Sequence, residues 1–196
     1  MNLNCSSILT EKKISYIGGF YVVTDKVQYR KHDQVFPLHP ENQFYLDEIV
    51  RDKIKNNSVL EIGVGSGVLS IAAIRAGAVN VIGLEINPKA RLYAGFNVVL
   101  NGLENVIEIR DGDKTDIFKP VEGKKFEYII ANPPFEPTPS AVSYYLHSAG
   151  GQYGLDFVTK IFEQLDNYLT DKGHAQIVTF APGSDTEPFM LVDLVR

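Results

Sequence analysis

Apolar and polar positions follow two rhythms along this chain, and the change of rhythm divides it. Between Tyr16 and Phe36 the spacing is that of strands. Ile17-Gly18-Gly19-Phe20-Tyr21-Val22-Val23 makes one β-rich piece, and a second runs from Val27 through Tyr29 towards Val35-Phe36. Thr24-Asp25-Lys26 is turn material between them and Gly18-Gly19 permits a sharp bend, so residues 16–36 predict a hairpin. Pro37 and Pro40 interrupt the chain. Leu46, Ile49, Val50 and Ile54 then recur near the helical period and predict a helix from Glu41 to Asn56.

From Ser58 the pattern alternates between short apolar runs and helical spacing. Strands are expected at 58–62, Val81 to Glu85, Val106 to Arg110, 126–131 and His174 to Phe180. Helices are expected from a glycine turn to about Ala76, from Pro88 to a stop at Gly102, and from Leu155 to Leu169. Strands alternating with helices give an α/β fold whose parallel sheet is covered on both faces. Two regions are expected: residues 1–40, a weakly structured start (1–13) with the hairpin, and residues 41–196, the α/β domain. Residues 181–196 follow the fifth strand and include the apolar run Phe189-Met190-Leu191-Val192. If the fold adds two further strands, they are missing here, and the last strand is an exposed edge.

Composition narrows the function classes. At 196 residues, 44% hydrophobic and 22% charged, the chain is ordinary for one globular domain with a small appendage. It has no 18-residue apolar run, which excludes a membrane-spanning helix. Met1-Asn2-Leu3-Asn4-Cys5 lacks the basic-then-apolar pattern of a secretory signal. The one cysteine, Cys5, cannot form an internal disulfide, and no Cys/His cluster offers a zinc site. A free thiol in a reducing cytoplasm is the expectation. A net charge of −5 disfavours broad nucleic-acid binding. Lys26, Arg30 and Lys31 beside Tyr29 form the main basic cluster, expected to be a solvated hairpin face.

Candidate chemistry collects at the strand ends. Parallel α/β sheets bind ligands outside the carboxyl ends of their strands. Gly63-Val64-Gly65-Ser66-Gly67 is a glycine turn leaving a strand, followed by a helix N-terminus that suits a carboxylate. Glu61, just before it, can face an ammonium group. Glu85 ends the next strand, where a carboxylate can accept from both hydroxyls of a ribose. Asp113, in Asp111-Gly112-Asp113, can take the amino group of adenine, with Asp111 or Asp116 as alternatives. The G-x-G-x-G spacing differs from the dehydrogenase G-x-G-x-x-G and disfavours NAD. An amino acid, a ribose and an adenine in series describe S-adenosyl-L-methionine (SAM).

Asn132-Pro133-Pro134-Phe135 follows the apolar run 126–131. The Asn132 side-chain oxygen and the Pro133 carbonyl could each accept one hydrogen of a planar NH2 group, leaving its nitrogen aimed at the sulfonium methyl. Phe135 could stack on the flat group, and the prolines hold the tip in place before reaction. The transfer is an in-line displacement that needs no metal.

With these two motifs the chain resembles class I SAM-dependent methyltransferases of the Asn-Pro-Pro-Tyr/Phe group, over about residues 16–181. The resemblance implies a Rossmann-like fold and methylation of an exocyclic base nitrogen or a protein side-chain amide. Gly150-Gly151-Gln152-Tyr153-Gly154-Leu155-Asp156 looks like the Gly-Gly-Glu-Asp-Gly-Leu-Asp segment of release-factor glutamine methyltransferases, and Leu38-His39-Pro40-Glu41 is similar to their Pro-Arg-Pro-Glu. The chain departs from that pattern at Leu38, His39, Gln152, Tyr153 and Phe135, and it has no room for their N-terminal helical domain. Catalytic roles are thus expected for Asn132, Pro133 and Phe135. Cofactor binding is expected of Glu61, Gly63, Gly65, Gly67, Glu85, Asp113 and Asn132.

Other readings stay open. The acceptor is a protein, a nucleic acid or a small molecule, within one chain or with further domains of a longer one; a membrane partner is not expected. A SAM-binding module without catalysis is the rival from another class. His39, His147 and His174 are expected to be structural or solvated. Tyr144 and Tyr145 are expected to pack on the sheet rather than line a cleft.

Overall fold

The computed structural model describes residues 12–195, so Cys5 and most of the expected weakly structured start lie outside the described residues. Five strands form one parallel sheet: β3 (Ser58–Ile62), β4 (Asn80–Glu85), β5 (Ile107–Asp111), β6 (Phe126–Ala131) and β7 (Leu169–Ile177), in the order β5-β4-β3-β6-β7. The expected α/β fold with a Rossmann-like parallel sheet is what forms. The chain leaves β3 in one direction and returns to pair β6 on its other side, with Ile62 opposite Ala131. This switch point puts the glycine turn and the Asn-Pro-Pro-Phe tip side by side at the carboxyl edge.

Helices cover both faces because the central strands are apolar on both. Val59, Leu60, Ile129 and Ile130 are all fully buried. On one face, α3 (Val68–Arg75) packs Leu69, Ile71 and Ala72 against Val59, Val81 and Tyr128. On the other, Leu60, Ile62 and Ile129 meet Phe118, Val121 and Ile161 of the β5–β6 connection and α5 (Asp156–Phe162). Helix α4 (Pro88–Leu100) starts as expected at Pro88, where the Asn87 side chain accepts from Lys89 N at 3.0 Å. Gly102 follows its end with φ +68°.

The hairpin differs from the expectation in register. Its strands are β1 (Lys12–Ile17) and β2 (Phe20–Asp25), and Gly18-Gly19 is the turn itself rather than a bend within a strand. Both glycines have positive φ, +56° and +86°, the condition of the two-residue turn whose twist matches a hairpin. Thr24 and Asp25 are buried strand instead of turn. The Asp25 carboxylate is answered by Lys89 Nζ and Tyr93 OH, both at 2.7 Å, and by Val35 N at 2.8 Å. Residues 27–36 form an irregular segment, and Lys26, Arg30 and Lys31 are exposed, as expected of a solvated face.

Two predicted helices are broken. Residues 41–56 fold as α1 (Pro40–Asp47) and α2 (Arg51–Ile54). The break at Glu48-Ile49-Val50 falls on two adjacent β-branched residues, which lose rotamer freedom in a helix, and it lets both Ile49 and Ile54 reach the core. Residues 155–169 fold as α5 and a short α6 (Leu165–Tyr168), because β7 already begins at Leu169. Strand β7 starts earlier than predicted and carries an irregularity: Phe126 pairs Leu169 whereas Tyr128 pairs His174. The extra residues lie between Leu169 and His174, and Gly173 among them is tightly placed, since a Cβ there would lie 3.1 Å from the Phe126 carbonyl oxygen. Strand β7 is an edge of the sheet, and α7 (Phe189–Val195) follows it.

Candidate active site

A cavity of 560 Å³ opens at the carboxyl edge, over the switch point. Its floor is the glycine turn, its far side the Asn-Pro-Pro-Phe tip, and its roof two separate segments. Of the predicted residues, Glu61, Gly63, Gly65, Glu85, Asp113, Asn132, Pro133 and Phe135 all line it. Gly67 does not. It caps α3 at φ +83°, a left-handed conformation that favours glycine, beside Ala94.

The glycine turn is held in shape from β4. Glu85 Oε2 accepts from Gly65 N and its Oε1 from Asn87 N, each at 2.8 Å. Each carboxylate oxygen retains a lone pair for a further donor. Burial lifts the Glu85 carboxyl above its ordinary pKa, and these backbone donors oppose the shift. Cβ atoms built at Gly63 and Gly65 meet nothing within 4 Å, so both glycines leave open space beside the turn. Asn97, on α4, donates to Ser66 O at 2.8 Å and to Val23 O at 2.9 Å and accepts from Val23 N at 2.8 Å, locking the turn to the hairpin.

Glu61 is 1% exposed and accepts from the Ser70 hydroxyl. Burial without a cation pushes its carboxyl up to about 8, with the Ser70 bonds working against the shift. Asp113 turns its carboxylate into its own loop. Oδ1 accepts from Thr115 N at 2.8 Å, Thr115 Oγ1 at 2.6 Å and Asp116 N at 3.1 Å, and Oδ2 lies 3.2 Å from Lys119 Nζ. The Thr115 bonds, first of all, hold this carboxyl well below the usual range. Of its alternatives, Asp111 is exposed and paired with Arg91 at 2.6 Å, and Asp116 caps Phe118 N at 3.1 Å. Neither lines the cavity.

At the tip, the Asn132 side-chain oxygen is buried with no hydrogen-bond partner. Beyond it the Phe135 ring meets Phe180 edge-on at 4.7 Å. The chain after the tip is stitched back by Glu136 N to Ser148 O and Gly150 N to Glu136 O, both 2.9 Å. A Cβ at Gly154 would come 2.2 Å from the Phe135 carbonyl oxygen, which explains glycine there. The roof joins residues 32–36 to residues 144–148: Leu146 N donates to His32 O at 3.1 Å and His147 Nε2 lies 3.2 Å from Gln34 Oε1. His147 faces the cavity, and burial lowers its pKa to about 4, which keeps it neutral. Leu146, His147 and Ser148 line the cavity where Tyr144 and Tyr145 do not.

Sequence reasoning missed Asn97, Gln34 and Phe36, Leu146 and His147, and Phe157 and Phe180. Most belong to segments without periodicity. A signal existed only for Asn97, a polar residue at a core position of an apolar helix.

The residues fit SAM. The volume lies within the range of about 300–1,000 Å³ usual for small-ligand pockets, the turn offers space beside its backbone, and a carboxylate with free lone pairs stands at the end of β4. An unpartnered acceptor on the opposite side marks where a donor group is wanted.

Comparison with known proteins agrees. The family model of ribosomal protein L11 methyltransferase (PrmA) matches residues 39–133. A Methanocaldococcus jannaschii protein, assigned by name as a protein N5-glutamine methyltransferase, is 35% identical over 156 residues, covering 78% of this chain and 75% of that one. The release factor glutamine methyltransferase of Thermodesulfovibrio yellowstonii is 32% identical over 182 residues, 84% of this chain but only 62% of its own length. Among solved structures, the M. jannaschii tRNA m1G37 methyltransferase aligns with a TM-score of 0.66 at 18% identity, over 94% of this chain and 47% of that one, a likeness of fold. Sheet, glycine turn and strand-end tip together define a class I SAM-dependent methyltransferase. Within that class, the chain belongs to the Asn-Pro-Pro-Tyr/Phe methyltransferases related to the protein N5-glutamine and release factor glutamine enzymes.

Proposed function

We propose that this methyltransferase acts on the nitrogen of a planar NH2 group, and that the group is a glutamine side-chain amide of a protein. The observation that carries the reading is the buried, unpartnered Asn132 oxygen beside the cavity. A buried acceptor without a partner costs about 1–3 kcal/mol, and an incoming N–H group removes that cost. With the Pro133 carbonyl taking the second hydrogen, the nitrogen is fixed in plane and its lone pair is directed into the cavity.

Bound SAM supplies an electrophilic methyl on a sulfonium. The chain's own groups do the rest. Glu85, Gly63 and Gly65 would hold the ribose and amino-acid portions, Glu61 would face the ammonium, and the loop at Gly112-Asp113 would border the adenine. Asn132 and Pro133 orient the acceptor. With a sulfonium methyl supplied from the donor side, the clamp would hold the nitrogen for in-line attack, the sulfur keeping the electron pair of the broken bond and the surplus proton of the nitrogen passing to solvent. Phe135, Phe157 and Phe180 provide an apolar wall for a neutral, flat group.

Charge supports a protein rather than a nucleic acid as acceptor. Besides Glu61, which burial keeps protonated at neutral pH, the lining carries Glu41, Glu85, Asp113 and Glu136 against Lys114 and Lys160, with no arginine among the lining residues. Phosphate recognition favours arginine and lysine. Relatives named for protein glutamine methylation point the same way. A single cysteine suits a reducing cytoplasm; among the described residues no helix is long and apolar enough to cross a membrane.

The test is incubation with tritiated SAM and a release factor, protein extract, RNA, DNA or small metabolites, using wild type and Asn132→Ala. Label in protein glutamine, lost in the variant, is expected. Label only in RNA would overturn the proposal.

A further inference from the structure

We propose that Tyr45 is the positioning residue of the acceptor clamp: from α1, its hydroxyl fixes the Ala131–Asn132 peptide and so the direction in which the Asn132 oxygen points. This rests on the reading of Asn132 given above.

Tyr45 is 2% exposed, with its ring in the core cluster under α1. Packing alone would be served by phenylalanine, and a buried hydroxyl is unfavourable unless it finds a partner. Here its one hydrogen is shared between two backbone carbonyls, the nearer Ala131 O at 2.8 Å and Gln176 O at 3.0 Å. The Ala131 carbonyl also accepts from Val178 N at 3.0 Å, so both of its lone pairs are engaged.

That carbonyl belongs to the peptide leading into Asn132. The peptide is planar, so fixing its oxygen fixes the Asn132 nitrogen as well. On the other side, Pro133 restricts the backbone of the residue before it, and Pro133 and Pro134 have their own φ locked. The tip is therefore clamped from both ends, by proline rings after Asn132 and by Tyr45 and Val178 before it. What remains is the Asn132 side chain, whose oxygen carries no internal bond. Preorganisation of this kind places a group to within fractions of an ångström, the tolerance that alignment for transfer demands.

The same seam contains a control. The Gln176 side chain accepts from Tyr128 OH at 2.5 Å and donates to Glu48 O at 3.0 Å. It ties β7 to the end of α1 without touching the tip. Gln176→Met therefore loosens the seam as Tyr45→Phe does, but leaves the Ala131 carbonyl with both donors.

The experiment reads the tip directly in ¹⁵N-labelled protein. The Asn132 side-chain NH2 signals are assigned by their disappearance in Asn132→Ala. One sharp pair is expected in wild type and in Gln176→Met, and a broadened or doubled pair in Tyr45→Phe. With a release factor as acceptor, Tyr45→Phe should lower kcat by about tenfold with the KM for SAM within about twofold of wild type. Val178→Pro, which deletes the other donor, is the second variant and should disturb the same signals. Unchanged signals and kcat in Tyr45→Phe would overturn the inference, as would equal broadening in Tyr45→Phe and Gln176→Met. Full turnover by Asn132→Ala would instead bring down the reading of the clamp itself.

Discussion

The two halves of the cavity handle their polar groups in opposite ways. On the donor side each carboxylate is already engaged: Glu85 by Gly65 N and Asn87 N, Glu61 by the Ser70 hydroxyl, Asp113 by its own loop. On the acceptor side Asn132 presents a desolvated oxygen with no partner. The donor half is a finished surface, whereas on the proposed reading the acceptor half keeps one hydrogen bond in reserve for an NH2 group. Affinity and turnover should accordingly separate by side.

Asn132→Ala gives the largest expected effect. It removes the reserved acceptor and should lower turnover by roughly 10²–10³-fold, as deletion of a single preorganised group does elsewhere. SAM affinity, measured by calorimetry, should change by no more than a few-fold. Stability should hold or rise slightly, because the variant deletes an unsatisfied buried atom rather than a bond. A clear drop in the urea midpoint would mean that Asn132 is paired in the resting protein, and the contrast between the halves would collapse.

Glu85→Ala is the mirror experiment. The N–H groups of Gly65, in the turn, and of Asn87, at the start of α4, lose their acceptor, and on the proposed reading the ribose loses its carboxylate. SAM affinity should fall by about 10–100-fold, the range for hydrogen bonds to a charged group, while kcat at saturating SAM stays within a few-fold. A kcat loss as large as that of Asn132→Ala would show that the two halves are not separable.

Much of this contrast was legible in the residues before any coordinates. The order of the five parallel elements, the glycine turn and the Asn-Pro-Pro-Phe tip all lie in or beside strongly patterned segments, where local sequence dictates local geometry. Segments whose conformation depends on distant partners were not legible. Asp25 looked like turn material because its buried partners, Lys89 and Tyr93, lie on a helix far along the chain. The helix break after Asp47 brings Ile49 and Ile54 into the core together, a demand set by the sheet and not by the local spacing. The roof segments 32–36 and 144–148 have no periodicity, and bonds to each other and to distant residues such as Asp25, Asn87 and Glu136 define them. Gly67 matched the motif's spacing, yet it lies outside the cavity lining and turns the chain into α3 at φ +83°. Spacing does not distinguish a glycine that faces a ligand from one that faces a helix.

Glu61 offers a pH test confined to the donor half. Its folded pKa of about 8 lies above the ordinary 4.5 of an unfolded chain. Between those values the folded protein keeps a proton that the unfolded chain has released. Its contribution to stability is therefore full below 4.5 and is lost as pH rises through 8. The steepest slope is at most about 1.4 kcal/mol per pH unit. Urea midpoints from pH 5 to 8 should fall for wild type and flatten in Glu61→Gln. If the ammonium of SAM sits beside Glu61, saturating SAM should also reduce the slope, because a neighbouring cation favours the charged carboxylate.

The smallest effect is expected at Asp113, where residue choice and geometry pull apart. Its position at the cavity suits adenine, but its carboxylate is occupied by Thr115, Asp116 and Lys119. If it acts only by holding that loop, Asp113→Ala should weaken SAM by a few-fold through loop order. The penalty for an inosyl analogue, which lacks the adenine amino group, should then be the same in wild type and variant. If the carboxylate accepts from that amino group directly, the analogue is penalised in wild type and not in Asp113→Ala, the coupling that a double-mutant cycle measures. Equal penalties, read by calorimetry with the adenosyl and inosyl forms of the demethylated product, are the outcome the bonded loop predicts. They would place adenine recognition on the backbone around Gly112 instead of on the acid that sequence spacing singles out.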